Sequence, residues 1–364
     1  MKQLTPIKLA LTFAGCFLGA GYVSGQELWQ FFGVFGRGGF FGIILAVIFL
    51  FLMAVLLLRL SQDTGISEVD KLVICWDVKA LRALMSTLEL IFLFGVGTIM
   101  AAGVGALLNQ LFAVPTWIGC AAFAVLIAVM AMTGLKGLVS AFSVSVPILA
   151  AATVVFGIVS LCQNGFSALP CGTCAGRNPM MPVWFVGAAT FSCYNIFGNF
   201  AILAPFAGFI PNKKTVYFGT ALGALILLCI AIGVMVSLCC FPEALSAELP
   251  MLALASRMSP ALGYGYGFLL LLAMFGTALS SAVAFIDFVC RKSEKIEAKR
   301  RTAIGVYALL MFGGSLAGFG DLIGTVYPIF GYLSSVFVIL LVIHWIRFRR
   351  ERKSIKNAEN SVIS

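Results

Sequence analysis

Histidine is almost missing from this sequence: one residue, His344, among 364, with only 14 Asp and Glu. A membrane-embedded enzyme needs clustered acids, histidines or a nucleophile–base pair near one face, so this scarcity argues against catalysis. His344 lies close to a basic stretch at the end of an apolar run, where an interfacial role fits better than a chemical one. No G-x-x-x-x-G-K-[ST] loop occurs, which argues against ATP drive by this chain. Charge is scarce too. Charged residues are 10% of the chain and hydrophobic ones 61%, too oily a balance for a soluble domain of this size. The eleven cysteines fall mostly inside apolar runs and do not form the spaced framework of a secreted disulfide protein.

What is abundant is apolar sequence, in repeated runs of the ~20 residues that a bilayer crossing needs. Mean hydropathy is +1.07. Ten segments can be drawn, near 7–33, 38–60, 83–112, 115–134, 137–161, 182–208, 214–241, 262–290, 302–320 and 322–347. They predict an all-α polytopic membrane protein with ten transmembrane helices in one domain, 1–347. A short surface helix is expected near 241–262, a polar connector at 61–82, and a basic, disordered cytoplasmic tail at 348–364. "FAGC" at 13–16 approaches a lipobox, but Phe13 fits poorly and an uncleaved first helix is expected. With the N-terminus inside, only Arg37, Arg177 and Arg257 of the 24 Lys and Arg fall in outward segments. That asymmetry predicts cytoplasmic N- and C-termini. It also assigns the formal charge of +10 to contact with anionic lipid, leaving no need for nucleic acid as a partner.

Two segments are polar in the middle. In "GCFLGAGYVSGQELWQFFG", 15–33, Gly19, Gly21 and Gly25 surround Ser24 and are followed by Gln26 and Glu27. Each glycine weakens a helix by about 1 kcal/mol relative to alanine, so a break is expected here. Gly95, Gly103 and Gly105 fit close helix packing instead. In "ATFSCYNIFGNFAIL", 189–203, Ser192, Tyr194, Asn195, Gly198 and Asn199 interrupt the sixth segment, and a second break is expected. Breaks at positions one and six of ten predict two inverted five-helix repeats, about 7–161 and 182–347.

"GAGYVSGQE" resembles the glycine-rich break in helix one of the amino acid–polyamine–organocation superfamily, which has the LeuT fold. More narrowly, GAG-x-x-SGQE resembles the YkvI-like membrane proteins, a group of assigned amino-acid permeases. The resemblance implies a bacterial cell-membrane transporter with a small-molecule substrate. It places the amides of Ala20 and Gly21, beside Gly19 and Ser24, against a substrate carboxylate. Tyr194, Asn195 and Phe197 would close the pocket, although aromatics also serve ordinary packing. The resemblance also implies sodium held by carbonyls near Gly15 and Leu18 with hydroxyls of helix eight. Thr277, Ser280 and Ser281 lie at i, i+3 and i+4 and share a face. Such hydroxyls can equally bond back to their own helix. Helix five, 137–161, lacks the internal lysine found in some proton-coupled relatives, which favours sodium over a proton.

Glu27 and Glu89 lie inside spans, and each needs a reason, because charge at mid-membrane costs about 2.5–3.5 kcal/mol on insertion scales. They are not expected to pair. Either can gate or carry a proton. Glu27 can also bind a substrate amine, or simply favour the first turn of the helix beyond the break. Asp287 and Asp321 are expected at interfaces. Cys162, Cys171 and Cys174 share an outward loop, as one disulfide with a spare thiol or as free thiols, and no histidine is near enough to suggest zinc. The function these features predict is secondary transport of a small zwitterion, an amino acid, coupled to a cation by alternating access. The competing reading is a ligand sensor on the same fold, as in germinant-receptor subunits, which binds without moving solute. Oligomeric state is not legible.

Overall fold

The computed structural model describes residues 4–66, 69–76, 78–133, 139–165, 176, 178–292 and 294–363; at 133, 139–146, 200–202, 205 and 355–363 it describes the backbone alone. Cys171 and Cys174 therefore lie outside the described residues, and Cys162 is an exposed free thiol. Among the described residues there is no strand.

The first predicted segment is three helices: α1 (Pro6–Phe17), α2 (Ala20–Ser24) and α3 (Gln26–Phe31), followed by a 3-10 turn at Gly33–Phe35. Helix α1 starts where sequence chemistry says it should. Thr5 caps it, its hydroxyl accepting the Lys8 N–H at 3.3 Å, and Pro6 occupies the first turn. Next come α4 (Arg37–Thr64), α5 (Val69–Val73), α6 (Lys79–Phe112), α7 (Thr116–Thr133) and α8 (Val139–Asn164). After them follow α9 (Trp184–Phe206), α10 (Lys213–Cys240), α11 (Pro250–Met258), α12 (Pro260–Lys292), α13 (Glu294–Glu297), α14 (Arg300–Ser315) and α15 (Phe319–Ile363). Each of the ten predicted segments overlies a helix. Six helical stretches are long and apolar enough to cross a membrane on those criteria: Arg37–Thr64, Lys79–Phe112, Pro147–Asn164, Lys213–Cys240, Pro260–Lys292 and Phe319–Ser354.

Helices α1 and α9 meet at the centre of the molecule. Helix α1 lies along α10, α9 is held between α4 and α15, and α6 crosses α12. The small-residue packing expected of membrane helices is present. A Cβ at Gly157 of α8 would lie 2.7 Å from the Cα of Gly233 on α10, so those backbones nearly touch. Gly103 packs under Met274 and Phe319, and Gly95 under Val326.

Two expectations are corrected and a third is narrowed. The sixth segment is not broken: α9 is continuous from Trp184 to Phe206. Three of its polar residues bond back to their own helix. Ser192 donates to the Ala188 carbonyl at 2.7 Å, Asn195 to Phe191 at 3.0 Å and Asn199 to Asn195 at 2.9 Å. They satisfy themselves within the helix, so nothing forces it open. The helix near 241–262 is exposed on one face only, the side of Arg257. Met251, Leu252, Leu254 and Ala255 of α11 are buried, packed down onto the first segment and α12. The tail is not disordered but continues α15 as helix to Ile363. Arg352 reaches back to Asp63 at 3.0 Å, and Asp63 also pairs with buried Arg59 at 2.9 Å.

Candidate functional site: the interrupted first span

The first span comes undone at Leu18 and Gly19. Both leave helical geometry, with ψ of 70° and 165°. The Gly19 N–H turns to the Phe17 carbonyl at 2.9 Å, away from the i−4 partner a continuing helix would give it. Helix α2 begins at once, so the Ala20 and Gly21 amides stand in its first turn without backbone acceptors. A Cβ at Gly15 or Gly19 would meet no atom within 4 Å, so the break borders open space. The inner portion thus ends at Phe17 and the outer portion starts at Ala20.

A second interruption follows. Gly25 adopts φ 85°, a left-handed conformation that glycine takes without steric cost, and divides α2 from α3. Helix α2 is anchored on both sides. The Tyr22 hydroxyl donates to the Leu227 carbonyl on α10 at 2.8 Å, and the Tyr266 hydroxyl on α12 to the Val23 carbonyl at 2.6 Å. Ser24 is fully buried and donates to the Gly21 carbonyl at 3.0 Å, so its hydroxyl serves α2 itself.

Glu27 sits in the first turn of α3, 4% exposed. Tyr194 on α9 donates its hydroxyl to Glu27 Oε1, and Asn195, the next residue on α9, lies beside the same carboxylate. The structure thus brings together Gly21, Glu27, Tyr194 and Asn195. Phe197 does not join them; it is edge-on to Phe92 and stacked on Phe337, as core aromatics pack. Glu89 is half-buried on α6 and faces Asp70 of α5, not Glu27. His344 is structural: its Nδ1 donates to the Leu72 carbonyl at 2.7 Å.

Helix α12 presents its three hydroxyls unequally. Ser281 is buried, Thr277 half-buried and Ser280 exposed. Thr98, Thr190, Thr220, Ser237 and Ser334 all bond back to carbonyls four residues earlier. Among the described residues Thr277, Ser280 and Ser281 make no such bond, which leaves their oxygens free to ligate.

Sequence reasoning missed two groups. Tyr327 on α15 stacks on Tyr194 with centroids 4.5 Å apart, backing the phenol that meets Glu27. Its one signal is the following Pro328, which lies inside the helix and cannot donate to the Gly324 carbonyl. Asn178 Nδ2 supplies that donor. The second group lines a cavity of about 250 Å³, among them Gln26, Gln30, Glu248, Gly320 and Asp321. Gln30 Nε2 donates to the Gly320 carbonyl at 2.9 Å, and Glu248 accepts the Phe319 N–H at 2.9 Å. These bonds tie α3 and the lead-in to α11 onto the start of α15.

An all-helical bundle with a broken first span packed against an inner sixth helix is the architecture of the LeuT-fold transporters, and this chain has that fold. An inward-facing structure of Mhp1 is similar over 96% of this chain and 78% of its own, with TM-score 0.66 and 14% identity. A structure of MhsT in complex with L-phenylalanine is similar over 94% and 90%, with TM-score 0.63 and 15% identity. In sequence, the chain is 23% identical over 332 residues to the uncharacterized membrane protein YkvI of Bacillus subtilis (strain 168), covering 91% of this chain and 93% of that protein. No protein-family model matches the chain.

Proposed function

We propose that the protein is a secondary active transporter, not an enzyme, that moves a small zwitterionic solute, an amino acid, with a cation by alternating access. It would sit in a bacterial inner membrane with both termini cytoplasmic. The observation that carries the reading is the interruption of the first span at Leu18–Gly19 beside open space. Unpaired backbone at that depth is tolerated only where it lines a cavity. The Ala20 and Gly21 amides are donors suited to a carboxylate. The carbonyls before the break suit an ammonium group or sodium. Gly15 and Leu18 would supply oxygens to sodium together with Thr277, Ser280 and Ser281, whose unbonded hydroxyls fit a hard cation. Tyr194 and Asn195 would close the pocket from α9. MhsT, similar in fold, was solved with L-phenylalanine, which agrees with an amino-acid-sized solute. The proposed inverted repeats, 7–161 and 182–347, would supply the two conformations.

Purified protein, screened by thermal shift against the twenty L-amino acids with and without sodium, should melt higher with one or a few of them. Uptake of the responding amino acid into proteoliposomes separates a transporter from a sensor. Binding without uptake would overturn the transport reading, and no shift with any amino acid would overturn the substrate class.

A further inference from the structure

Glu27 is the buried group this account leaves without a task. Its depth makes it expensive: an ionised carboxylate inside a span costs several kcal/mol unless a cation neutralises it. Among the described residues no salt bridge reaches it. The titratable groups that face it are phenols: Tyr22 on α2, Tyr194 on α9 and Tyr327 on α15. On α10, Cys229 faces Tyr22, and on α12 the Tyr266 hydroxyl is occupied by the Val23 carbonyl. Asp321, in the first turn of α15, lines the cavity at Gln26 and Glu248. The 3-10 turn Gly33–Phe35 has no ionisable side chain.

Three cations could answer the charge: a substrate ammonium, a metal ion or a proton. Space decides between them. Oε1 is taken by Tyr194, and Oε2 packs so tightly on Gly21 that a Cβ there would lie 2.5 Å away. At 4% exposure there is no room for an ammonium. A hard metal ion needs several oxygens converging on one point, and here the second oxygen faces a glycine. A proton needs no volume. The bonding is also sensitive to it, because an ionised carboxylate accepts from Tyr194, whereas a protonated one carries its own donor. The group stands two residues past the left-handed hinge at Gly25, on α3, with its partners on α9 and α15. Its charge therefore bears on how those three elements fit together.

We propose that Glu27 is a proton-binding site of the transport cycle, separate from the sodium ligands on α1 and α12. The role in transport rests on the reading above; the binding of a proton does not. Water in the outward cavity beside Gln26 delivers the proton to the carboxylate. The protonated side chain crosses as a neutral group, and the proton leaves to cytoplasmic water once the first span has moved.

Two measurements on the full-length protein test this. The first needs no substrate. The infrared difference spectrum between acid and neutral pH should contain a protonated-carboxyl C=O band that is lost in Glu27→Gln. Its persistence in that variant would overturn the proposal. Tyr194→Phe guards against an ill-folded first variant. Removing a donor to the anion should move the midpoint of that band to higher pH by about one unit; an unmoved midpoint would count equally against the site. The second is uptake of a radiolabelled mixture of L-amino acids into sodium-free proteoliposomes, acidic outside. The pH gradient should raise accumulation severalfold for the wild type and not for Glu27→Gln. Uptake blind to pH but raised by sodium would sink the proton site while leaving the transporter standing. No uptake by the wild type, with the infrared band intact, would sink the transporter and keep the site.

Discussion

Gly19 and Gly21 stand two positions apart and meet different surroundings. Gly21 is packed against Glu27 and Ile323, whereas Gly19 borders open space with φ −74° and ψ 165°, a backbone any residue adopts. The sharper probe of the pocket is therefore Gly19→Leu. It should fold with an unchanged melting temperature, yet bind the amino acid at least about tenfold more weakly, about 1.4 kcal/mol, because the side chain occupies the cleft. Isothermal titration against the responding amino acid checks it, and unchanged affinity would place the solute elsewhere. Gly21→Leu should by contrast lower the melting temperature, since its Cβ strikes the Glu27 carboxylate. On α12, replacing Ser280 and Ser281 together by alanine should flatten the sodium dependence of the thermal shift. A dependence that survives removes them as ligands.

The first span behaves as three elements joined at two interruptions, and Gly25 is the one that tolerates least change. Gly25→Ala would hold an L-residue at φ 85° and place a methyl 2.9 Å from Leu238 Cδ1 and 3.1 Å from Met251 Cγ. A loss of about 1–3 kcal/mol is expected, read as a lower melting temperature. That the first span would break was legible because three glycines and two polar residues fall together, and no neighbouring side chain was needed to predict it. The sixth helix read the same way and is intact. Ser, Thr and Asn can leave a helix open or bond back to it, and only the three-dimensional structure tells which. The pairing of Glu27 with Tyr194, backed by Tyr327, was not legible either. It joins residues 167 positions apart, and the sequence marks Tyr327 only by the proline after it. Burial of α11 was hidden for a related reason. Its short, mixed composition suits an interface, and the packing of α10 and the first span buries one of its faces.

At the scale of the molecule, the two sides of the first span differ. On one, Gln30 bonds Gly320 and Glu248 caps the start of α15, so α3 is held to its neighbours. On the other, Leu11, Gly15 and Gly19 follow at intervals of four residues along a face of α1 that is open up to the break. One closed and one open side would suit the gated central site proposed above, and the positive-inside rule would assign the basic side to the cytoplasm. The Lys- and Arg-rich end of α15 meets the last turn of α4 through Arg352 and Asp63, and in the proposed orientation this basic end faces the cytoplasm. The proposed orientation would put exposed Cys162, at the end of α8, outside the cell and the end of α15 inside. A membrane-impermeant maleimide applied to intact cells should modify Cys162, read as a mass shift on its peptide. The same reagent should leave a Ser354→Cys variant unmodified at position 354 until the membrane is permeabilised. The reverse pattern would turn the protein over, make the cavity at Gln26 and Glu248 face the cytoplasm, and require the proton to enter Glu27 from the other side.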